Sequence, residues 1–188
     1  MANPDIQYLF KPRGIAVIGA SRDSNKIGYK ILDNILSGGY QGRVYPVNSK
    51  GDEILGLRGY KDIRDIEGEV DVGVIVVPAT FVFDVVKGCA EKGVKFTPII
   101  SSGFSEIGNR EEEKKIVDCA RDYGMRVLGP NIFGIFSASS SLNATFGPKN
   151  IKPGSIAIIT QSGALGIAMI GKTAVENIGL SAIVSVGN

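Results

Sequence analysis

The residues best suited to chemistry stand near the start of the chain, in the stretch 14–28, GIAVIGASRDSNKIG. An apolar run at 15–18 ends in Gly19-Ala20-Ser21, a short polar loop follows, and a helix is expected from about Ile27. Small residues let a backbone approach an anion closely, and the unpaired N–H groups and dipole of a helix start favour negative charge there. Lys26 adds a cation, so Gly19, Ala20, Ser21 and Lys26 read as a phosphate cradle. Gln161-Ser162-Gly163 is a second turn of this kind, again between an apolar run and a helix. The 188 residues include no histidine, which excludes an imidazole base, a Ser-His-Asp triad and an imidazole metal site in this stretch. The only two cysteines, Cys89 and Cys119, lie far apart, and no metal site is expected. Without a base, Ser102 and Ser162 are assigned as hydrogen-bond donors to a ligand rather than nucleophiles. Glu106 is the remaining acid–base candidate, with a solvated loop carboxylate as the simpler reading.

These residues need elements to place them. Apolar runs at 15–18, 42–47, 72–77, 96–100 and 126–128 read as strands, with helical periodicity at 29–37, 81–92 and 111–123. Residues 72–77 are continuously apolar, as a parallel strand covered on both faces should be. Five strand–helix alternations in the first 130 residues predict a doubly wound parallel α/β sheet. Ligands of such sheets sit beyond the carboxyl ends of the strands. Here those ends are 19–21, 48–50, 78–80, 101–104 and 129–131, all small, polar or proline-containing. Beyond Ile132 the texture changes: 137–147, SASSSLNATFG, reads as a polar loop, then 155–160 as a strand, 167–176 as a helix and 181–186 as a strand. This predicts a first domain over 1–130 and, over 131–188, the opening of a second α/β domain whose remainder is missing. A fragment of that kind would expose apolar surface, so oligomerisation or docking to a partner is expected.

Composition narrows the class. With 21 basic and 19 acidic residues the net charge is +2, and no global field points to nucleic acid or a membrane. The first residues lack the pattern of a signal peptide, and no apolar run is long enough to span a bilayer. The cysteines read as buried small hydrophobes in a reducing cytoplasm.

A dinucleotide is the default ligand of such a sheet. The G-x-G-x-x-G fingerprint is broken here, because Ser21 and Ser24 occupy its second and third glycine positions. The second strand ends in Asn48-Ser49-Lys50, with no carboxylate for a ribose 2′-hydroxyl. A lysine there suits a phosphate on the adenosine ribose, which disfavours NAD and leaves NADP and coenzyme A.

Six motifs occur in order: GASR, PVNSK, VVPAT, IISSGF, GPN and TQSGALG. Together they resemble the NDP-forming acyl-CoA synthetases, most closely the ADP-forming acetate–CoA ligase (acetyl-CoA synthetase) kind, and also the α subunit of succinyl-CoA synthetase. The resemblance implies a Rossmann-like coenzyme A-binding domain followed by the first part of a flavodoxin-like domain. By it, Gly19, Ala20, Ser21 and Lys26 meet coenzyme A phosphates, and Val47, Asn48 and Lys50 surround the adenosine end. Val77, Pro78 and Phe81 pack on the ligand, Ser101, Ser102 and Gly103 line the pantetheine path, and Asn131 lies near the thiol. Gln161, Ser162 and Gly163 cradle a phosphoryl group.

The implied reaction is acyl-CoA + ADP + phosphate giving acid + CoA + ATP, through an acyl phosphate and a phosphohistidine. That histidine lies further along the second domain, and ADP/ATP with Mg2+ belong to an ATP-grasp domain or β subunit. By itself this stretch should bind coenzyme A without turnover. The family commonly has Cys where this chain has Ile132, a position read here as packing. Two alternatives stay open: a stand-alone coenzyme A- or nucleotide-binding regulatory module, and an NADP-dependent oxidoreductase.

Overall fold

A computed structural model describes residues 5–188. The apolar runs of the first part become five parallel strands, β1 (Gly14–Ile18), β2 (Arg43–Val47), β3 (Val72–Ile75), β4 (Phe96–Pro98) and β5 (Arg126–Leu128). Their order is β2-β1-β3-β4-β5. A short lead-in turn, α1 (Gln7–Phe10), precedes them, and α2 (Ile27–Ser37), α3 (Ala79–Lys92) and α4 (Arg110–Asp122) cover the sheet. Alternation along each strand feeds two cores. Ile15 and Val17 pack with Ile31, Leu32 and Ile35 of α2, whereas Ala16 and Ile18 pack with Val82 and Val86 of α3 and Ile116 of α4. β1 and β3 are buried at every residue, which is why both read as unbroken apolar runs.

At the amino ends of the strands, Asp71 accepts from the Arg13 backbone N–H (2.7 Å), Nε (3.0 Å) and Nη2 (2.7 Å). Its side chain is only 2% exposed. Burial pushes the Asp71 carboxyl up, but the Arg13 contacts outweigh it and hold it below its ordinary value. Cys89 is buried in the α3 core and Cys119 is half-buried; both are free thiols raised by burial.

The expected alternation breaks once. The β2–β3 crossover, to which the sequence reading assigns no helix, carries a three-residue 3-10 turn, Ile63–Asp65. Gly51 and Gly56 adopt φ of 69° and 77°, so the chain turns too often there for a helical run. Tyr60 instead extends the sheet beyond β2, donating to Pro46 O (3.0 Å) and accepting from the Asn48 N–H (2.9 Å).

A second sheet has the order β7-β6-β9-β8, built from β6 (Gly134–Ser137), β7 (Leu142–Thr145), β8 (Pro153–Thr160) and β9 (Leu180–Ser185). β8 and β9 are parallel and joined by α5 (Gly163–Val175), while β6 is antiparallel to both β7 and β9. The expectation of a polar loop at 137–147 is therefore corrected: it holds a turn and a fully buried strand. Its polar residues are internally satisfied. Thr145 Oγ1 donates to Asn143 Oδ1 (2.8 Å), and Asn34 of α2 donates to Thr145 O (2.8 Å). Leu142 and Ala144 share a core with α2, so this hairpin belongs to the second sheet by pairing and to the first by packing.

Among the described residues β8 has a partner on one side only, and Ile159 (74%), Leu165 (55%) and Val175 (87%) stand exposed on β8 and α5. Among the described residues no helix is long and apolar enough to cross a membrane.

Candidate functional site

In the order β2-β1-β3-β4-β5 the direction of winding reverses at β1, so the crevice of the sheet opens at the carboxyl ends of β1 and β3. A cleft of about 280 Å3 lies there, lined by Gly19, Ser21, Lys26, Ile27, Gly28 and Val76. Gly19 adopts φ +97°, and a Cβ on it would fall 2.6 Å from Val76 O. A Cβ on Gly28 would fall 2.1 Å from Gly19 O, so the first turn of α2 rests directly on the turn after β1. Close helix–strand approach is the task of the third glycine in the dinucleotide fingerprint. Gly28 performs it several residues further along, which a search at Ser24 misses.

The donors divide into two groups. Gly19 and Ala20 both give their N–H to Val47 O, at 2.9 and 3.1 Å. They shape the floor and fasten the turn to the end of β2. The donors left to face a ligand are those of the first turn of α2. Lys26 is its N-cap with extended backbone and no side-chain cap bond, so the N–H groups of Ile27, Gly28 and Tyr29 have no partner within the helix. The loop ahead of it is pre-formed: Ser21 Oγ accepts from the Asp23 N–H (3.0 Å) and Asp23 Oδ1 from the Asn25 N–H (2.9 Å). The exposed Lys26 ammonium completes the cradle.

Beyond β2, Asn48 Oδ1 accepts from the N–H groups of Lys50 and Gly51, both at 2.9 Å. This fixes the turn that carries the exposed Lys50, while Val47 is buried beneath it. Arg22, which sequence reasoning passed over, bridges the two turns: its Nε donates to Glu53 O (2.9 Å). The GASR run contained the signal, since the arginine directly follows the small-residue turn. A smaller hollow of about 140 Å3 adjoins β1 and β2 on the α3 side, with Ile18 and Val47 as its apolar floor and Lys61 and Asp84 on its wall. Pro78 is the N-cap of α3, Val77 is half-buried, and Phe81 in the first turn is 58% exposed.

The ends of β4 and β5 are tied together. Ser101 Oγ donates to Val77 O (2.5 Å), and the Asn131 N–H donates to Ser101 O (3.0 Å). Ser102 is exposed, and Gly103 (φ +113°) lies against Ala79. Glu106 accepts from the N–H groups of Gly103 and Phe104 and from Asn188 Nδ2. Burial opposes its charge, but the Gly103 and Asn188 hydrogen bonds prevail and its carboxyl lies below the ordinary value. In the structure Glu106 fixes its loop, in keeping with the loop-carboxylate reading of the sequence. Ile132 is 3% exposed in the core shared with α2, which agrees with a packing role.

At the second turn, Ser162 is the N-cap of α5 and its Oγ accepts from the Leu165 N–H (3.2 Å), leaving its proton free to donate. Gln161 is exposed, and Gly163 opens the helix. Gly166 lets α5 lie on Phe133, whose Cε1 would be 2.4 Å from a Cβ at that position. The structure thus gathers Gly19, Ser21 and Lys26 in one cleft and links Val77, Ser101 and Asn131 by hydrogen bonds. Gln161, Ser162 and Gly163 stand apart, on the second sheet.

Fold and site together define an α/β domain of the Rossmann-like kind, with a cleft at its topological switch point that Lys26 and the uncapped start of α2 border. Residues 13–137 match the family model described as a CoA binding domain, and residues 153–188 match that of a succinyl-CoA ligase like flavodoxin domain. The chain belongs to the CoA-binding domain family. It is 54% identical to acetate–CoA ligase [ADP-forming] I subunit alpha of Pyrococcus furiosus, over 97% of this chain and 41% of that one. It is 36% identical to a 4-hydroxybutyrate–CoA ligase [ADP-forming] of Nitrosopumilus maritimus, over 96% of this chain and 26% of that one. Among solved structures it resembles dinucleotide forming acetyl-coenzyme A synthetase 1 of Ca. Korarchaeum cryptofilum, in complex with phosphate and ADP. The TM-score is 0.96 at 55% identity, covering 97% of this chain and 39% of that one. The chain therefore spans about two fifths or less of the length of these relatives.

Proposed function

We propose that this chain is the coenzyme A-binding portion of an ADP-forming acyl-CoA synthetase of the acetate–CoA ligase type. The observation that carries the reading is the switch-point cleft, whose shape depends on two close glycine contacts and whose rim offers Lys26 and the uncapped start of α2. In this reading the α2 start and Lys26 hold the diphosphate of coenzyme A. Lys50, raised by the Asn48 turn, reads the ribose 3′-phosphate, with Val47 beneath the adenosine. Val77, Pro78 and Phe81 pack on the ligand, Ser101, Ser102 and Gly103 line the pantetheine path, and Asn131 approaches the thiol. Gln161, Ser162 and Gly163 take a phosphoryl group at the start of α5.

The whole reaction is acyl-CoA + ADP + phosphate giving acid + CoA + ATP. Phosphate oxygen displaces the coenzyme A thiolate from the acyl carbon, giving an acyl phosphate. The phosphoryl group then passes to a histidine outside this chain and on to ADP, releasing the acid. ADP and Mg2+ are assigned to an ATP-grasp domain or β subunit, the partner against which the exposed residues of β8 and α5 would dock. The first domain is placed at 1–130 and the opening of the second at 131–188. The same fold also serves acetate and 4-hydroxybutyrate enzymes by name, so the acyl group is assigned to no residue here.

The test is isothermal titration of the chain with coenzyme A, 3′-dephospho-CoA and NADP. Coenzyme A is expected to bind, with a roughly tenfold loss for the dephospho form through the missing charged contact to Lys50. Tight binding of NADP with no response to coenzyme A would restore an oxidoreductase and end the synthetase reading.

A further inference from the structure

The loops that follow β4, β5 and β9 meet at one side chain, Asn188. Its Nδ2 donates to Glu106 Oε2 (2.7 Å) and Glu113 Oε2 (3.2 Å), and its Oδ1 accepts from Asn131 Nδ2 (3.4 Å). Its backbone N–H donates to Pro130 O (3.2 Å). The two carboxylates reach on into the loop after β4. Glu106 accepts from the N–H groups of Gly103 and Phe104, and Glu113 from that of Ser105 (3.1 Å). Three successive backbone donors, at 103, 104 and 105, therefore end on a pair of carboxylates that a single amide bridges. Phe104 is buried and Asn109 Nδ2 donates to Gly103 O (3.3 Å), while Ser102 at the tip is exposed, so the carboxylates fix the backbone between an anchored residue and an open one.

We propose that Glu106, together with Asn188, is a positioning residue of the coenzyme A site, holding the 101–104 turn in the shape that receives the pantetheine arm and making that shape depend on the second sheet. The proposal rests on the coenzyme A reading above. Glu106 touches no ligand; it acts through the Gly103 and Phe104 amides. A carboxylate suits the task because it only accepts, and its two oxygens can take several donors at once. Bonds from neutral N–H groups to a charged oxygen are also the stronger kind. The lowered carboxyl of Glu106 agrees with this use, because the bonds require the ionised form.

The test compares two probes on the full chain by titration calorimetry: coenzyme A, and adenosine 3′,5′-bisphosphate, which is its nucleotide end without the pantetheine arm. Glu106→Gln keeps the shape but turns one acceptor oxygen into an NH2 facing donors. It is expected to weaken coenzyme A about tenfold while leaving the bisphosphate within about twofold. Asn188→Ala removes the bonds to Glu106, Glu113 and Asn131, all exposed, and is expected to act in the same direction by about threefold. Unchanged coenzyme A affinity in both variants overturns the proposal, and so does an equal loss for both probes, which would make Glu106 part of the general scaffold. If Glu106→Gln does not fold, Asn188→Ala decides by the same two-probe difference. A parent chain that takes up neither probe overturns the coenzyme A reading and this proposal together, and is told apart by failing before any substitution.

Discussion

β1 and β8 are both apolar parallel strands that pass through a small-residue turn into a helix, yet all five residues of β1 are buried and only Ile158 of β8 is. The difference lies in their neighbours. β1 has β2 and β3 beside it and helices on both faces, whereas β8 has β9 alone. The helix starts differ in a matching way: α5 spends one N–H on its own Ser162, while α2 has no side-chain cap and keeps its donors for the cleft. Similar sequence texture thus yields a fully covered unit in one place. In the other it yields a unit whose apolar residues stand exposed.

The largest effect should separate the two strands. Ile15→Ala in β1 should cost about 2–5 kcal/mol of stability in urea unfolding, because it empties a fully buried site. Ile159→Ala in β8, 74% exposed, should fall within about 0.5 kcal/mol. Equal costs would mean that β8 is covered in solution.

Next come the two close-packed glycines. Gly28→Ala would press a methyl on the Gly19 carbonyl, so a cost of about 3 kcal/mol and loss of coenzyme A binding are expected. Gly166→Ala meets side-chain atoms of Phe133 and Thr160 rather than a backbone carbonyl, and a smaller cost of about 1 kcal/mol is expected. A ranking in the opposite order would show that the α2 turn is the softer of the two.

Acid should act on the first sheet through Asp71. Its folded carboxyl lies below the unfolded value, so the stabilisation is complete above about pH 4 and is lost as pH falls through the depressed folded value. Asp71→Ala should cost about 2–4 kcal/mol at pH 7 and flatten that acid limb. An unchanged limb in the variant would place the acid sensitivity elsewhere.

The smallest effects distinguish the helix starts. Ser162→Ala should remove about 1 kcal/mol of stability through the lost cap. Lys26→Ala should leave stability within about 0.5 kcal/mol but weaken coenzyme A by roughly tenfold. A Lys26 variant that binds normally would shift the whole anion contact to the α2 amides.

Much of the first sheet is legible in the sequence, because strands buried on both faces leave continuous apolar runs and the helices between them keep a regular period. The five strand ends follow from that alone, whereas the crevice at β1 and β3 needs the strand order, which the structure supplies. The β6–β7 hairpin is not legible, because Asn143 and Thr145 read as loop residues although their polar atoms are satisfied inside the core. The β2–β3 crossover is left without an element in the sequence reading, and Gly51 and Gly56 with their positive φ are the reason that no long helix forms there. In the site, the cleft residues Gly19, Ser21 and Lys26 were visible by type and spacing. The roles of Gly28 and Arg22 were not, since each acts through a partner distant in sequence or out of the expected register, Gly19 O and Glu53 O; Glu106 was visible by type, but its bond to Asn188 was not.

The hairpin that belongs to both sheets also bears on the order of events during synthesis. Asn34 and Thr145, joined by a direct hydrogen bond, are 111 residues apart in the chain. All five strands of the first sheet lie between them or just before them, so they can pair before Thr145 has been made. Contacts of such long range are slow to close, and units nearer the N-terminus fold first on a growing chain. Until β7 arrives, the α2 face that receives Leu142 and Ala144 is open to water, and the nascent protein passes through a stage with that groove uncovered. A chaperone that recognises short apolar segments would find its opening there, and lose it when the hairpin closes.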